Sequence, residues 1–308
     1  MNDDPPIRKL PLISIVIPFV ENTSVNDLEV TLNSIFNQMY EKYEIIIVSS
    51  LNQNCVYEGK NYAAIIKCVV SDKIKTADLL NLGLHQTSGD FVCFVKPGDV
   101  LVCDYFSSID KIDWAHPTVD WIIFSHLNNN ITNVIDLKNR LSYYVNFFDL
   151  FNMNKRPFYI SSSVCFRNRW VDTENGKVHE IVFDPAYTQY SFSDVITKYA
   201  MLYPECYYNT HPVVTRVSHE NNKNYDSIMI PAVIPLTDYI CSHADGFNIQ
   251  KYLDLWSIHI CLENLKRKQF YCASHNMDHL SDNYKCSKLL LNICCKCKIP
   301  ISAYIKNL

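Results

Sequence analysis

Between Leu12 and Leu101, short apolar runs alternate with stretches whose apolar residues recur at helical spacing, and this alternation restricts the fold more than any other feature. Leu12 to Ile17 is a β-branched run stopped by Pro18, the composition of a buried parallel strand. Leu28, Leu32, Ile35, Phe36 and Met39 place an apolar face on a helix that Ser24 or Asn26 can cap. Glu44 to Val48 reads as a second buried strand, followed by the polar loop Ser49 to Asn54. Ala64 to Val70 reads as a third strand, and Thr76 to Gln86 as a helix with Leu79, Leu80 and Leu84 toward a sheet. Phe91 to Val95, bounded by Gly89 and by Pro97-Gly98, is a further short strand. Such an order predicts an α/β fold with a right-handed, mostly parallel, doubly wound sheet. Ligands of open α/β sheets bind at the carboxyl ends of strands, which puts the crevice above Pro18, Ser49 and Lys96. The tip that carries Lys96 also carries Asp99.

With 308 residues, 48% of them apolar and 19% charged, the chain has room for one large domain and an appendage. Its net charge of -4 provides no general attraction for nucleic acid. The 13 cysteines are irregularly spaced in a long chain and follow no signal peptide, so they read as mostly free, buried thiols of a reducing compartment. The expected location is cytoplasmic, with the inner face of a membrane as an option. The apolar run near the N-terminus is broken by Pro11 and Pro18 and is too short to span a bilayer.

Five segments, in this order and spacing, resemble the successive motifs of family 2 glycosyltransferases with the GT-A fold: Ile13-Ser14-Ile15-Val16-Ile17-Pro18, Thr31-Leu32-Asn33-Ser34-Ile35-Phe36-Asn37-Gln38, Tyr43-Glu44-Ile45-Ile46-Ile47-Val48, Asn81-Leu82-Gly83-Leu84 and Ser88-Gly89-Asp90-Phe91. The resemblance implies a nucleotide-sugar donor, transfer with inversion to a hydroxyl of a glycan or lipid-linked glycan, and Mn²⁺ or Mg²⁺ on the donor diphosphate. It assigns Pro18, Glu21, Ser49, Ser50, Asn81, Lys96, Asp99 and Arg216 to the donor pocket. Several positions depart from the family pattern. The acidic pair after the second strand is Ser49-Ser50, and the Tyr and Asn after the first-strand proline are Val20 and Glu21. The metal-holding Asp-x-Asp reads Lys96-Pro97-Gly98-Asp99. Asp99 supplies the one carboxylate that a metal bound to a diphosphate needs at minimum. Lys96 points the other way: an ammonium repels a metal and can itself neutralise a diphosphate, which implies metal-independent activity.

Phe158 to Arg167 resembles the family's acceptor-side segment, and Ser193-Asp194 stands where the catalytic helix opens. Asp194 is then the base that takes the acceptor hydroxyl's proton, or else an ordinary first-turn acid. Arg216 to Asn222 resembles a loop that closes over the donor, with Arg216 on phosphate and His219 as metal ligand, phosphate contact or plain surface residue. The domain scheme is a flexible 1–10, a GT-A-like domain over 11–225 and a helical extension over 226–308. Within the extension, 248–268 reads as a core helix. Ser281 to Leu308 carries Lys285, Lys288, Lys296, Lys298 and Lys306 against Asp282 alone, which suits an anionic membrane surface, an oligomer contact such as a homo-oligomer, or a solvated face. Cys272, His275, His279, Cys286, Cys294, Cys295 and Cys297 suit zinc or, more simply, buried thiols. A function of another class also fits the altered motifs: a catalytically inactive GT-A protein serving as a binding or scaffolding partner.

Overall fold

The apolar runs do become strands, and their burial explains their composition. In a computed structural model, which describes residues 9–20, 23–50, 66–72, 75–128, 131–133, 144–147, 160–174, 176–180, 182–185, 191–216, 254, 258, 261, 265, 274, 277, 280, 282 and 285–296, the chain forms two compact units. One comprises Met1–Tyr143, Tyr159–Val182 and Cys206–Ser218; the other comprises Tyr144–Phe158, Phe183–Glu205 and His219–Leu308. In chain order the elements are β1 (Ile13–Phe19), α1 (Val25–Phe36), β2 (Tyr43–Ser50), β3 (Ile66–Ser71), α2 (Thr76–His85), β4 (Phe91–Phe94), β5 (Asp99–Leu101), α3 (Tyr105–Ala115), β6 (Trp121–Asn128), β7 (Ile131–Asn133) and β8 (Tyr144–Asn146). A single 3-10 turn (Ser161–Ser163) then precedes β9 (Val164–Arg167), β10 (Trp170–Thr173), β11 (Gly176–His179), α4 (Ser191–Leu202), β12 (Glu205–Arg216) and α5 (Lys285–Lys296).

The main sheet of the first unit runs in the order β3-β2-β1-β4-β9-β6-β12-β5. β1 pairs in parallel with β2 and β4, β2 with β3, and β6 with β12. The antiparallel members are β9, between β4 and β6, and β5, against β12. With neighbours on both sides and layers on both faces, β1 has no solvent-facing position for most of its length, and Ile13, Ile15, Val16 and Ile17 are fully buried. The carboxyl ends of β1, β2, β3, β4, β6 and β12 therefore share one edge, and β5 and β9 start from it. The sheet is mostly parallel, as the sequence predicts; the antiparallel insertions and the β10–β11 hairpin are features its periodicity does not announce.

Helix α1 starts where Ser24 caps it by accepting a hydrogen bond from the Asn26 amide, and it buries Leu28, Leu32 and Ile35. It ends at Phe36, so Met39 is 80% exposed instead of extending the apolar face. The reason is Gln38, whose side chain turns inward to serve backbone groups near β5 and leaves its neighbour outside. Helix α2 lies close on the sheet because Gly83 has no side chain: a Cβ there would meet Val16 Cγ1 at 2.4 Å and Val48 Cγ2 at 2.8 Å.

In the second unit, α4 buries Val195, Ile196, Tyr199 and Ala200, a helical repeat of apolar positions. Of the predicted helix over 248–268, the described positions Asp254, Ile258, Cys261 and Leu265 are helical, and its other positions lie outside the described residues. Cys261, Leu265, Met277 and Leu280 form an apolar cluster with Leu291, Cys294 and Cys295 of α5. Burial pushes the Cys261 thiol well up, so it is a protonated, apolar-like group there. Among the described residues no helix is long and apolar enough to cross a membrane.

Candidate functional site

The chain beyond β4 makes a tight turn that its sequence dictates. The Asp99 amide donates to the Lys96 carbonyl at 3.0 Å, and Gly98 takes a φ of 94°, a left-handed value that disfavours any side chain. Proline at the second position and glycine at the third suit a type II turn, whose third residue takes a positive φ.

Two sets of hydroxyls and amides hold this turn. From α1, Thr31 Oγ1 accepts from the Gly98 amide at 2.9 Å and donates to the Asp99 carbonyl at 2.9 Å. One helical turn on, Ser34 Oγ accepts from the Leu101 amide at 3.1 Å, while Gln38 Nε2 donates to the Val102 carbonyl at 2.7 Å and its Oε1 accepts from the Phe106 amide at 3.3 Å. Buried polar side chains at Thr31 and Ser34 on α1 and at Gln38 just beyond its end would be costly by themselves, and here Thr31 and Ser34 satisfy backbone groups of the turn and of β5, and Gln38 those of the segment that leads from β5 into α3. From the opposite side, Ser162 Oγ accepts from the Lys96 amide at 3.0 Å and donates to Asp99 Oδ2 at 2.6 Å. Asp99 is only 3% exposed, and Ser162 is fully buried.

The sheet register brings other strand ends to the same place. Arg216, the last residue of β12, is the cross-strand partner of Asp99 on one side and of Asn128 on the other. Further along the edge, β2 ends in Ser49 and Ser50, opposite Phe19 of β1 and Ser71 of β3 respectively. Both serines are buried, and among the described residues neither hydroxyl has a hydrogen-bond partner. A buried hydroxyl left in that state costs on the order of 1–3 kcal/mol, so an unfilled demand for polar partners exists at this end of β2.

The amino-terminal edge is built for cohesion. Glu44 Oε1 accepts from Ser14 Oγ at 2.7 Å and from the Ser88 amide at 2.5 Å, and Glu44 Oε2 pairs with Lys67 Nζ at 3.0 Å. Burial acts to raise the Glu44 carboxyl, but the bonds from Ser14, Ser88 and Lys67 outweigh it and hold the group below the usual carboxylate range. Gly89 must lack a side chain, since a Cβ would lie 2.6 Å from the Leu12 carbonyl oxygen and from Ser14 Oγ. Asp90 Oδ2 accepts from the Leu12 amide at 2.8 Å. Gly89 and Asp90 are therefore the joint between β1 and β4, and Ser88 ties it to β2, at the edge opposite the strands' carboxyl ends. Arg167 is engaged structurally too: its guanidinium bonds Asp113, the Val119 carbonyl and the Pro117 carbonyl.

Of the residues the sequence singles out, Pro18, Ser49, Ser50, Lys96, Asp99 and Arg216 lie along the carboxyl edge of one sheet. Asn81 is half-buried in α2, two residues before the glycine that seats the helix on β1 and β2. Asp194 lies in the first turn of α4, in the second unit. Glu21 and His219 lie outside the described residues. Ser162 holds the turn but carries no individual sequence signal, being one of three consecutive serines within the segment that resembles the acceptor side.

A divalent ion fits this turn poorly. Such an ion takes carboxylate oxygens that face the phosphates. Here the turn opens on a lysine, and its carboxylate is buried with an oxygen committed to Ser162. Among the described residues no three His, Cys, Asp or Glu side chains come together in a group that could hold a metal.

A curled, mostly parallel sheet with a turn carried between β4 and β5 at its carboxyl edge matches a GT-A-like fold. The chain superposes on residues 1–349 of S. aureus TarS with a TM-score of 0.63 at 14% identity, covering 93% of this chain and 87% of that one. It superposes on the same protein in complex with UDP-GlcNAc with a TM-score of 0.60 at 11% identity, covering 93% and 88%. The mannosyltransferase PcManGT from Pyrobaculum calidifontis, solved with GDP-Man and Mn²⁺, gives 0.50 at 14% identity, covering 88% and 74%. No family model matches the chain. No curated protein matches it.

Proposed function

We propose that this protein is a nucleotide-sugar-dependent glycosyltransferase that moves a sugar, with inversion, to a hydroxyl of a glycan or lipid-linked glycan. The observation that carries the reading is the built turn Lys96 to Asp99, held on both sides and set beside Arg216 at the carboxyl edge, in a fold shared with proteins solved with UDP-GlcNAc and with GDP-Man. In the proposed reaction the acceptor oxygen bonds the anomeric carbon as the bond from that carbon to the phosphate oxygen breaks. The electron pair leaves with the nucleoside diphosphate, and the acceptor proton passes to the Asp194 carboxylate. Pro18, Glu21, Ser49, Ser50 and Asn81 are assigned to the nucleotide, Lys96 and Arg216 to the diphosphate, and His219 to the loop over the donor.

The test is calorimetric titration of the full chain with UDP, GDP and their sugar conjugates, followed by acceptor screening with Asp194→Asn as control. Binding of a nucleotide sugar, and transfer that falls by about a hundredfold or more in Asp194→Asn, is the expected result. Nucleotide binding without transfer to any hydroxyl would leave a GT-A protein that serves as a binding or scaffolding partner.

A further inference from the structure

Resting on that reading of the site, we infer that the donor diphosphate is neutralised by the protein's own cations, Lys96 and Arg216, and not by a divalent metal. The two positions are linked through Asp99. Lys96 opens the turn that Asp99 closes, and Arg216 is the residue directly across from Asp99 in the β5–β12 ladder. Both positions therefore stand at one end of the sheet, one opening the turn that Asp99 closes and the other across the ladder from Asp99. That carboxylate, the last acid of the turn, is turned to structural use: it accepts from Ser162, which also takes the Lys96 amide, so it fixes the turn's shape from within. The other strand end on this edge, β2, offers two buried neutral hydroxyls where a metal-dependent donor site would gain from acids. Three positions along the edge are thus neutral or a buried acid, Ser49, Ser50 and Asp99, and two, Lys96 and Arg216, are cationic residues. A nucleoside diphosphate brings its own negative charge and requires compensation in a low-dielectric crevice. An ammonium and a guanidinium supply it, the latter with a fork that matches two phosphate oxygens. The orphaned hydroxyls of Ser49 and Ser50 are suited to a neutral nucleobase or ribose, since each can donate and accept.

The experiment is titration of the full chain with UDP and with GDP, once in excess EDTA and once in excess MnCl₂, for the wild type, Lys96→Met, Lys96→Ala and Lys96→Asp. The wild type is expected to bind one of the two with affinity that changes less than about twofold between EDTA and Mn²⁺. Lys96→Met, which keeps the aliphatic stem, and Lys96→Ala lose about tenfold or more, the loss of one charge-assisted contact. Lys96→Asp loses binding in EDTA and regains it with Mn²⁺, because it restores an acid to the turn. Thermal midpoints of the variants within a few degrees of wild type confirm that binding, not folding, is being read. Wild-type binding that requires Mn²⁺, or is unchanged in Lys96→Met, overturns the inference while leaving the glycosyltransferase reading intact. Absence of binding in both EDTA and Mn²⁺ overturns both together.

Discussion

Replacing Ser162 by alanine removes one oxygen that serves two groups. The Lys96 amide loses its acceptor at 3.0 Å, and Asp99 Oδ2 loses its donor at 2.6 Å, both in a region where Ser162 is fully buried and Asp99 is 3% exposed. A neutral hydrogen bond is worth about 1 kcal/mol and one to a charged group about 1.5–3 kcal/mol, so Ser162→Ala is expected to destabilise the first unit by about 3 kcal/mol. Water has little access to the site, so replacement partners are scarce. The assay is urea unfolding of wild type, Ser162→Ala, Asp99→Ala and the double variant. The single variants should each lower the midpoint with little change in slope, and the double variant should fall short of their sum by 1 kcal/mol or more, roughly the coupling expected of directly bonded side chains. A loss below about 0.5 kcal/mol for Ser162→Ala, or additivity in the cycle, would refute the claim that this serine holds the carboxylate.

Gly83→Ala tests how closely α2 seats on the sheet. In an exposed helix the change would stabilise by up to about 1 kcal/mol, but the new methyl meets Val16 and Val48, whose branched side chains have little freedom, so a net loss of about 1–2 kcal/mol is expected. A thermal midpoint that rises would show that the helix can lift away. His179 supplies a pH dependence. Its Nε2 donates to the Leu84 carbonyl at 2.7 Å and its ring lies against Trp170 with centroids 3.7 Å apart; burial, opposed by that carbonyl and aided by nearby His85, lowers its pKa to about 4. The folded form thus binds its proton later than the unfolded chain, whose histidine titrates near 6.5. Stability from this group is complete above pH 6.5 and is lost as pH falls from there through about 4. His179→Gln keeps a donor without titrating, so its unfolding midpoint should drop less than that of wild type over this window; equal drops would remove His179 as the cause.

The strands β1, β2 and β4 and the helices α1 and α2 are legible locally because of what they bury. A central parallel strand covered on both faces has to be a short β-branched run, and a helix on a sheet has to repeat its apolar residues every three to four positions. The crevice edge follows from those elements, since Pro18, Ser49 and Lys96 come where the runs stop. β5 is less legible: three residues long, it is a strand only because β12, far off in sequence, pairs with it. Met39 shows the opposite error, an apolar residue in register with the helix face that the chain leaves in solvent once Gln38 turns inward.

The family-like motifs divide in an instructive way. Thr31, Ser34, Gln38, Gly83, Ser88, Gly89 and Asp90 stand out in the sequence, yet the order of residues does not say what they are for. In the folded chain they hold backbone: Thr31 and Ser34 fasten the turn and β5, Gln38 the segment from β5 into α3, Gly83 seats α2, Gly89 and Asp90 join β1 to β4, and Ser88 ties that joint to Glu44 of β2. By itself the sequence determined the α/β class, the parallel core and the edge on which Pro18, Ser49 and Lys96 fall, because hydrophobic periodicity is a local property of the chain. Tertiary structure alone decided that Ser162 binds Asp99, that Arg216 stands across from it, and that Ser49 and Ser50 are buried with unanswered hydroxyls. Hydrogen-bond partners and strand registers join residues far apart in the chain, and no local pattern encodes which of them will meet.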